Sequence, residues 1–135
     1  MSIENWTHYL LTQGAVIDQG RVQHFSGDIP AEKHRALHEH TLCDLSHYGL
    51  IRARGEEAQH FLQNQFCNDV SKVSDTLSQY NGYCTPKGRA LAFFRLFQRD
   101  DQYYLRLPSE MLEAVLKRLR MYAPDCFMTQ CYSVF

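Results

Sequence analysis

Three histidines, His34, His38 and His40, are the residues of this chain whose spacing most resembles a metal site. His34 and His38 are four residues apart, so on a helix both imidazoles could bind the same metal ion. However, no Glu follows the first His as in an H-E-x-x-H pattern, and nothing supplies a matched third ligand. The charged neighbours of these histidines favour a solvated helix, and no metal site is predicted.

A second cluster, Asp44–His47, places an acid, a serine and a base within four residues. Side chains this close in sequence rarely form the triad of a hydrolase, and the chain has no G-x-S-x-G elbow. A local cap or loop is the better interpretation. The sequence therefore predicts no catalytic residue.

The cysteines number five and are Cys43, Cys67, Cys84, Cys126 and Cys131. An odd number without C-x-x-C spacing favours reduced thiols in a cytoplasmic protein. Cys84 has two interpretations. Lys87 and Arg89 would favour a reactive thiolate, whereas packing among aromatic side chains would make it a small, inert strand residue.

An aromatic hairpin is the most informative element that could position a site. Pro86 and Gly88 favour a turn, and β-prone residues flank it on both sides. The strand after the turn, Ala90–Phe97, carries Arg95 as its only charge. A strand this apolar is expected to be covered on both faces, by a helix, a second domain or a ligand.

The other patterns predict an α+β fold, with a largely antiparallel sheet and helices packed on it. Ser2 and Ser109 are expected to cap helices, and Gly27–Pro30 is expected to be a loop. Helices are predicted over residues 2–11, 31–40, 56–66 and 109–122. Strands are predicted within 15–25 as a pair, and over 48–54, 80–84, 89–97, 102–107 and 126–134.

Length and composition indicate one ordinary domain over residues 1–135. Hydrophobic residues make up 44% of the chain and charged residues 21%, which argues against disorder. A formal net charge of −1 does not favour nucleic-acid binding, and no apolar run is long enough to span a membrane. The chain ends on an apolar strand, Cys131–Phe135, so we expect either a fragment of a longer protein or a partner that covers this edge. The chain alone is expected to self-associate through an apolar surface or edge around Phe93–Phe97 or Cys131–Phe135.

Five segments occur in order along the chain: Asp44–His47, Ile51–Ala58, Phe61–Gln63, Gln65–Val70 and Pro86–Arg89. Together they resemble the N-terminal portion of the YgfZ-type folate-binding proteins, relatives of the glycine-cleavage T-protein. The resemblance covers about Leu42 to Tyr122. It implies an N-terminal part of a T-protein-like folate-binding fold, with tetrahydrofolate as the ligand of a site that is incomplete in this chain. It also implies iron–sulfur cluster assembly or repair, and hence tRNA modification, with iron–sulfur proteins as partners.

Two departures from that family favour an accessory role over an enzymatic one. The T-protein has an Asp-Asp pair where this chain has Ala92 and Phe93, and neither residue can act as a general base. The K-G-C-Y-x-G-Q-E motif of the YgfZ branch is absent. The alternatives are a tetrahydrofolate-dependent aminomethyltransferase and a protein-interaction domain that binds no folate.

The resemblance also indicates which strand face would meet folate. The T-protein carboxylate aligns near Phe93, and side chains alternate along a strand. The predicted folate-binding residues are therefore Tyr80, Phe93, Arg95 and Phe97. Arg95 needs an acceptor, which would be a folate carboxylate or a pterin carbonyl. The alternative is a local pair with Asp100 or Asp101.

Overall fold

The computed structural model describes residues 3–123 and 127–131. The chain divides into two compact units, Met1–His47 and Tyr48–Phe135. The first unit contains helix α1 (Ile3–Thr12), strands β1 (Val16–Asp18) and β2 (Arg21–His24), and helix α2 (Ile29–His38). The predicted helix cap at Ser2 lies outside the described residues.

The hairpin β1–β2 and the start of α2 follow from turn chemistry. The two strands pair antiparallel, and Gln19 and Gly20 both have positive φ at the connection. Asp28 caps α2 by accepting a hydrogen bond from the backbone of Ala31, and Pro30 lies in the first turn. The predicted loop over 27–30 is therefore wrong in its last two residues, because proline is favourable where a helix N–H has no partner.

The second unit is a sheet with two helices. It contains β3 (Tyr48–Arg54), α3 (Ala58–Gln65), a 3₁₀ turn (Val70–Lys72), β4 (Gln79–Cys84), β5 (Ala90–Arg99), β6 (Gln102–Pro108), α4 (Ser109–Arg120) and β7 (Phe127–Cys131). The strand order is β4-β5-β6-β3-β7, and every pair is antiparallel. The predicted α+β fold with a largely antiparallel sheet is confirmed.

Helices α3 and α4 pack on one face of this sheet and close the core. The apolar stripe of α4 consists of Leu112, Val115, Leu116 and Leu119, all buried. Helix α4 approaches β3 closely, since a Cβ at Gly49 would lie 2.1 Å from Leu112 Cδ1. Ser109 is the first helical residue and not the predicted cap: Pro108 holds that position and provides no side-chain cap.

No helix in residues 3–123 is long and apolar enough to cross a membrane. Among the described strands, β7 lies at one edge of the sheet beside β3. The last four residues of that predicted strand, 132–135, lie outside the described part of the chain.

Candidate functional site

The antiparallel registers divide the side chains of the second unit between two faces, because directly opposite residues point to the same side. One face is covered by α3 and α4 and is here called the helix-covered face. The other is here called the aromatic–arginine face. Its members include Tyr48, Arg52, Tyr80, Phe93, Arg95, Phe97, Tyr104 and Arg106, and the same registers place Arg54, Arg99, Gln102 and Thr129 on it.

All four residues predicted to bind folate lie on the aromatic–arginine face. Tyr80 is directly opposite Arg95, and Phe93 and Phe97 flank Arg95 on the same strand. The side chains of Tyr80 and Phe93 are 69% and 70% exposed. The described residues thus leave the Phe93 ring uncovered, and its cover by a second domain or a ligand stays a prediction. Whether these four residues bind folate stays a prediction.

Arg95 is held by a serine and not by either predicted acid. Its Nε and Nη2 atoms donate to Ser78 Oγ over 3.0 and 2.8 Å. The guanidinium carbon lies 5.4 Å from the centre of the Tyr80 ring. Asp100 instead lies beside Arg99, at 3.9 Å. Arg95 therefore meets no carboxylate in these contacts, and its charge remains available to an anionic ligand.

Four polar atoms on the same face are buried without a hydrogen-bond partner in the described part of the chain. They are Arg52 Nε, Gln102 Oε1, Arg106 Nε and Thr129 Oγ1. Thr129 is directly opposite Arg52, and Arg106 is directly opposite Arg95. Buried polar atoms normally have partners, so we expect a polar ligand or water to complete the bonding of these atoms.

The aromatic members of the face form flat surfaces. Phe97 stacks on Tyr104 with ring centres 5.3 Å apart and an interplanar angle of 14°. The Arg106 guanidinium lies 4.8 Å from the centre of the Tyr48 ring. A Cβ at Gly82 would lie 3.4 Å from the Phe93 ring, so the ring lies directly beside this position of β4. Such surfaces suit a planar, hydrogen-bonding ligand.

A pair of asparagines that the sequence analysis missed holds β4 in place. The backbone N–H of Asn68 donates to Asn81 Oδ1 over 2.9 Å, and Asn81 Nδ2 donates back to the Asn68 carbonyl over 3.3 Å. Asn68 Nδ2 also donates to the Tyr80 carbonyl over 2.8 Å. Asn81 is the one buried polar residue in the described core. A buried amide inside an aromatic strand was the available signal, since such a group needs local partners.

Two cysteines meet beside this network. The sulfur atoms of Cys67 and Cys84 are 3.4 Å apart. The hydrogen bond with Cys84 raises the pKa of the Cys67 thiol, and burial raises it further. The Cys84 side chain thus contacts a second thiol. Cys126 lies outside the described residues.

The histidine cluster and the Asp44–His47 cluster are local structures. The rings of His34 and His38 are 4.4 Å apart, and no group of three metal-binding side chains occurs in residues 3–123 or 127–131. Ser46 Oγ donates to Asp44 Oδ2 over 2.8 Å, and Trp6 Nε1 donates to Asp44 Oδ1. Asp44 thus organises a loop, which is the interpretation favoured from the sequence.

Comparison with known proteins gives matches over most of the chain. The family described as GCVT N-terminal domain matches residues 8–134. A tRNA-modifying protein YgfZ from Colwellia psychrerythraea is 33% identical over 86 residues, which is 64% of this chain and 26% of that protein. An aminomethyltransferase from Shouchella clausii is 36% identical over 81 residues, which is 60% of this chain and 22% of that protein.

A solved structure gives the same fold. The glycine cleavage system aminomethyltransferase T from Bartonella henselae superposes with a TM-score of 0.76 at 19% identity, over 94% of this chain and 37% of that one. The chain therefore spans between about a fifth and two fifths of the relatives it matches. The resemblance to the N-terminal portion of these proteins is confirmed: the chain belongs to the GCVT N-terminal domain family.

Proposed function

We propose that this chain supplies part of a tetrahydrofolate site in an accessory protein of the YgfZ type. In this proposal residues 1–135 act as a single N-terminal domain of a longer cytoplasmic protein. That protein would serve iron–sulfur cluster assembly or repair, and through it tRNA modification. The observation that carries the proposal is the aromatic–arginine face, with its exposed rings and its unpartnered arginine nitrogens.

The chemistry of that face matches the two parts of a folate. A pterin is flat and has hydrogen-bonding edges, so it can stack on Tyr80 or Phe93 while it bonds to neighbouring polar groups. A glutamate tail is anionic, and Arg95 has N–H groups beyond the two that donate to Ser78. Arg52 and Arg106 add two further donors on the same face.

An accessory role is favoured over aminomethyl transfer by the two residues that replace the T-protein acids. Ala92 is buried in the helix-covered core, and Phe93 is exposed where a carboxylate would face the ligand. Neither side chain can accept a proton. The competing candidate is an aminomethyltransferase, which the name of the Shouchella relative supports. It would require a base from another part of the protein.

Folate titration tests the proposal. Tetrahydrofolate is titrated by calorimetry into a chimera in which this chain replaces the matching segment of the Colwellia YgfZ protein. Arg95→Leu should weaken binding by about 1–3 kcal/mol, the usual loss for a charge-assisted hydrogen bond. Arg35→Leu is the control, because Arg35 is exposed on α2 in the first unit and the variant should bind folate as the parent does.

Three results would overturn the proposal in different ways. Unchanged affinity in a folded Arg95→Leu protein would show that the ligand does not meet this face. Formation of methylene-tetrahydrofolate from an aminomethyl-lipoyl donor would show that the protein is a transferase. Absence of binding to the folded, unsubstituted chimera would favour the protein-interaction alternative.

A further inference from the structure

The thiols of Cys67 and Cys84 form a pair that the folate proposal does not use. Their sulfur atoms are 3.4 Å apart, and a disulfide requires about 2.05 Å, so closing the bond needs a movement of little more than 1 Å. Cys67 is exposed and Cys84 is half-buried. Two thiols at this separation, one of them open to solvent, meet the geometric condition for thiol–disulfide exchange.

The local backbone explains why residues 17 apart in sequence come together. Phe66 forms an antiparallel bridge with Tyr83, and the backbone N–H of Cys67 donates to the Gly82 carbonyl over 3.1 Å. The segment after α3 therefore runs beside β4 as an extra, very short strand. The register of β4 with β5 shifts between Tyr83 and Cys84, which is a bulge where a side chain can be re-aimed.

We propose that Cys67 and Cys84 are a reversible redox pair that reacts with small-molecule disulfides such as glutathione disulfide. The exposed Cys67 thiolate attacks one sulfur of the small disulfide, which forms a mixed disulfide and releases one small-molecule thiolate. The Cys84 thiolate then attacks the Cys67 sulfur and releases the second. The two protons lost by the cysteines pass to the two released thiolates. The protein loses two electrons, and the small disulfide gains them.

The position of the pair gives the oxidation a structural consequence. A Cβ at Gly82 would lie 3.5 Å from the Cys67 sulfur and 3.4 Å from the Phe93 ring, so the pair lies beside the aromatic–arginine face. A disulfide would tie the Asn68 segment covalently to the strand that carries Tyr80. Oxidation of this pair does not depend on folate binding, and it can be measured in the absence of folate.

Mass spectrometry of the 135-residue chain tests the pair directly. The protein is incubated with glutathione disulfide without oxygen, free thiols are blocked with N-ethylmaleimide, and the protein is digested with trypsin. Cleavage after Lys72 separates the two cysteines, since residues 55–72 contain only Cys67 and residues 73–87 contain only Cys84. We expect these two peptides to be joined by a disulfide, and the joined species to disappear after treatment with dithiothreitol.

Two variants sharpen the result. In Cys84→Ser the second step is blocked, so a glutathione adduct should persist on Cys67. In Cys43→Ser, which changes a thiol of the first unit, the joined peptides should form as in the parent. Three results with the unsubstituted chain would each contradict the proposal. They are separate glutathione adducts on Cys67 and Cys84, disulfides formed mainly with Cys43 or Cys131, and no reaction with glutathione disulfide.

Discussion

The two faces of the five-stranded sheet are made from alternate residues of the same strands, yet one is buried beneath helices and the other carries exposed rings. Phe94 is 2% exposed and packs against Phe66 with ring centres 4.6 Å apart. Its neighbour Phe93 is 70% exposed. The polar atoms differ as well, since four of the five unpartnered buried side-chain atoms in the described residues lie on the aromatic–arginine face.

Neighbouring residues of one strand therefore have different roles: those on one face stabilise the fold, and those on the other are available for binding. The helix-covered face buries its apolar side chains against α3 and α4, so its residues contribute to the free energy of unfolding. The aromatic–arginine face leaves aromatic area and polar donors unused by the chain. Natural proteins rarely keep such a surface without a ligand or partner. Substitutions on the two faces should therefore have separable effects.

The largest expected effect is on the helix-covered face. Phe94→Ala should lower the free energy of unfolding by about 3–5 kcal/mol, because it leaves a cavity in a close-packed core. Phe93→Ala is the matched control one residue away and should change it by less than about 0.5 kcal/mol. Urea unfolding followed by circular dichroism measures both. Equal losses in the two variants would contradict the division of the faces.

A smaller loss is expected where β4 is anchored. Asn81→Ala removes the acceptor for the Asn68 and Gly82 N–H groups and should cost about 1–3 kcal/mol of stability. Asn64→Ala removes an exposed amide on α3 and should have little effect. The midpoints of urea unfolding of the two variants, each compared with the parent, measure these losses. An Asn81→Ala protein as stable as the parent would show that the anchoring of β4 to the Asn68 segment does not depend on this side chain.

The 3₁₀ turn that follows Asn68 should respond to acid. Hydrogen bonds from the Ser71 hydroxyl and backbone lower the pKa of Asp69, and the charge of Lys72 lowers it further. A lowered carboxyl pKa contributes stability above its ordinary value of 3.8, and that contribution is lost as pH falls through the folded value. The parent should therefore be more stable than Asp69→Asn at pH 7.

The difference between those two proteins should shrink towards zero as the pH falls below 3.8. Thermal unfolding at pH 7 and at successively lower pH measures it. Asp75→Asn is the control, since it removes an exposed carboxylate elsewhere in the same connection. A difference from the parent that stays constant through this range would contradict the assigned cause.

The smallest effect on folding should come from the exposed aromatic. Phe93→Ser is expected to leave unfolding unchanged while it weakens self-association, because burial of the Phe93 ring would drive pairing of two chains. Sedimentation velocity at increasing concentration measures the association. Phe25→Ser, which removes an exposed ring of the first unit, is the control. A parent chain that remains monomeric at high concentration would refute the predicted self-association.

Local patterns in the sequence determined most of the secondary structure. The strand Tyr48–Arg54 was predicted with both ends correct, because its alternation ends at a glycine. The predicted helix over 109–122 ends two residues late, and the predicted strand over 89–97 differs from β5 by one or two residues at each end. Alternation also placed Phe93, Arg95 and Phe97 on one face, since side chains of a strand have a period of two.

Only the tertiary structure decided which distant residues meet. Strand β3 lies between β6 and β7, which no local pattern along the chain could indicate. The partner of Arg95 is Ser78 and neither nearby acid, because the register of β4 with β5 decides what lies beside the guanidinium. The contact of Cys67 with Cys84 likewise depends on the Phe66–Tyr83 bridge. Hydrogen bonding and packing within a segment are encoded locally, whereas contacts between segments follow from how all the strands and helices share one core.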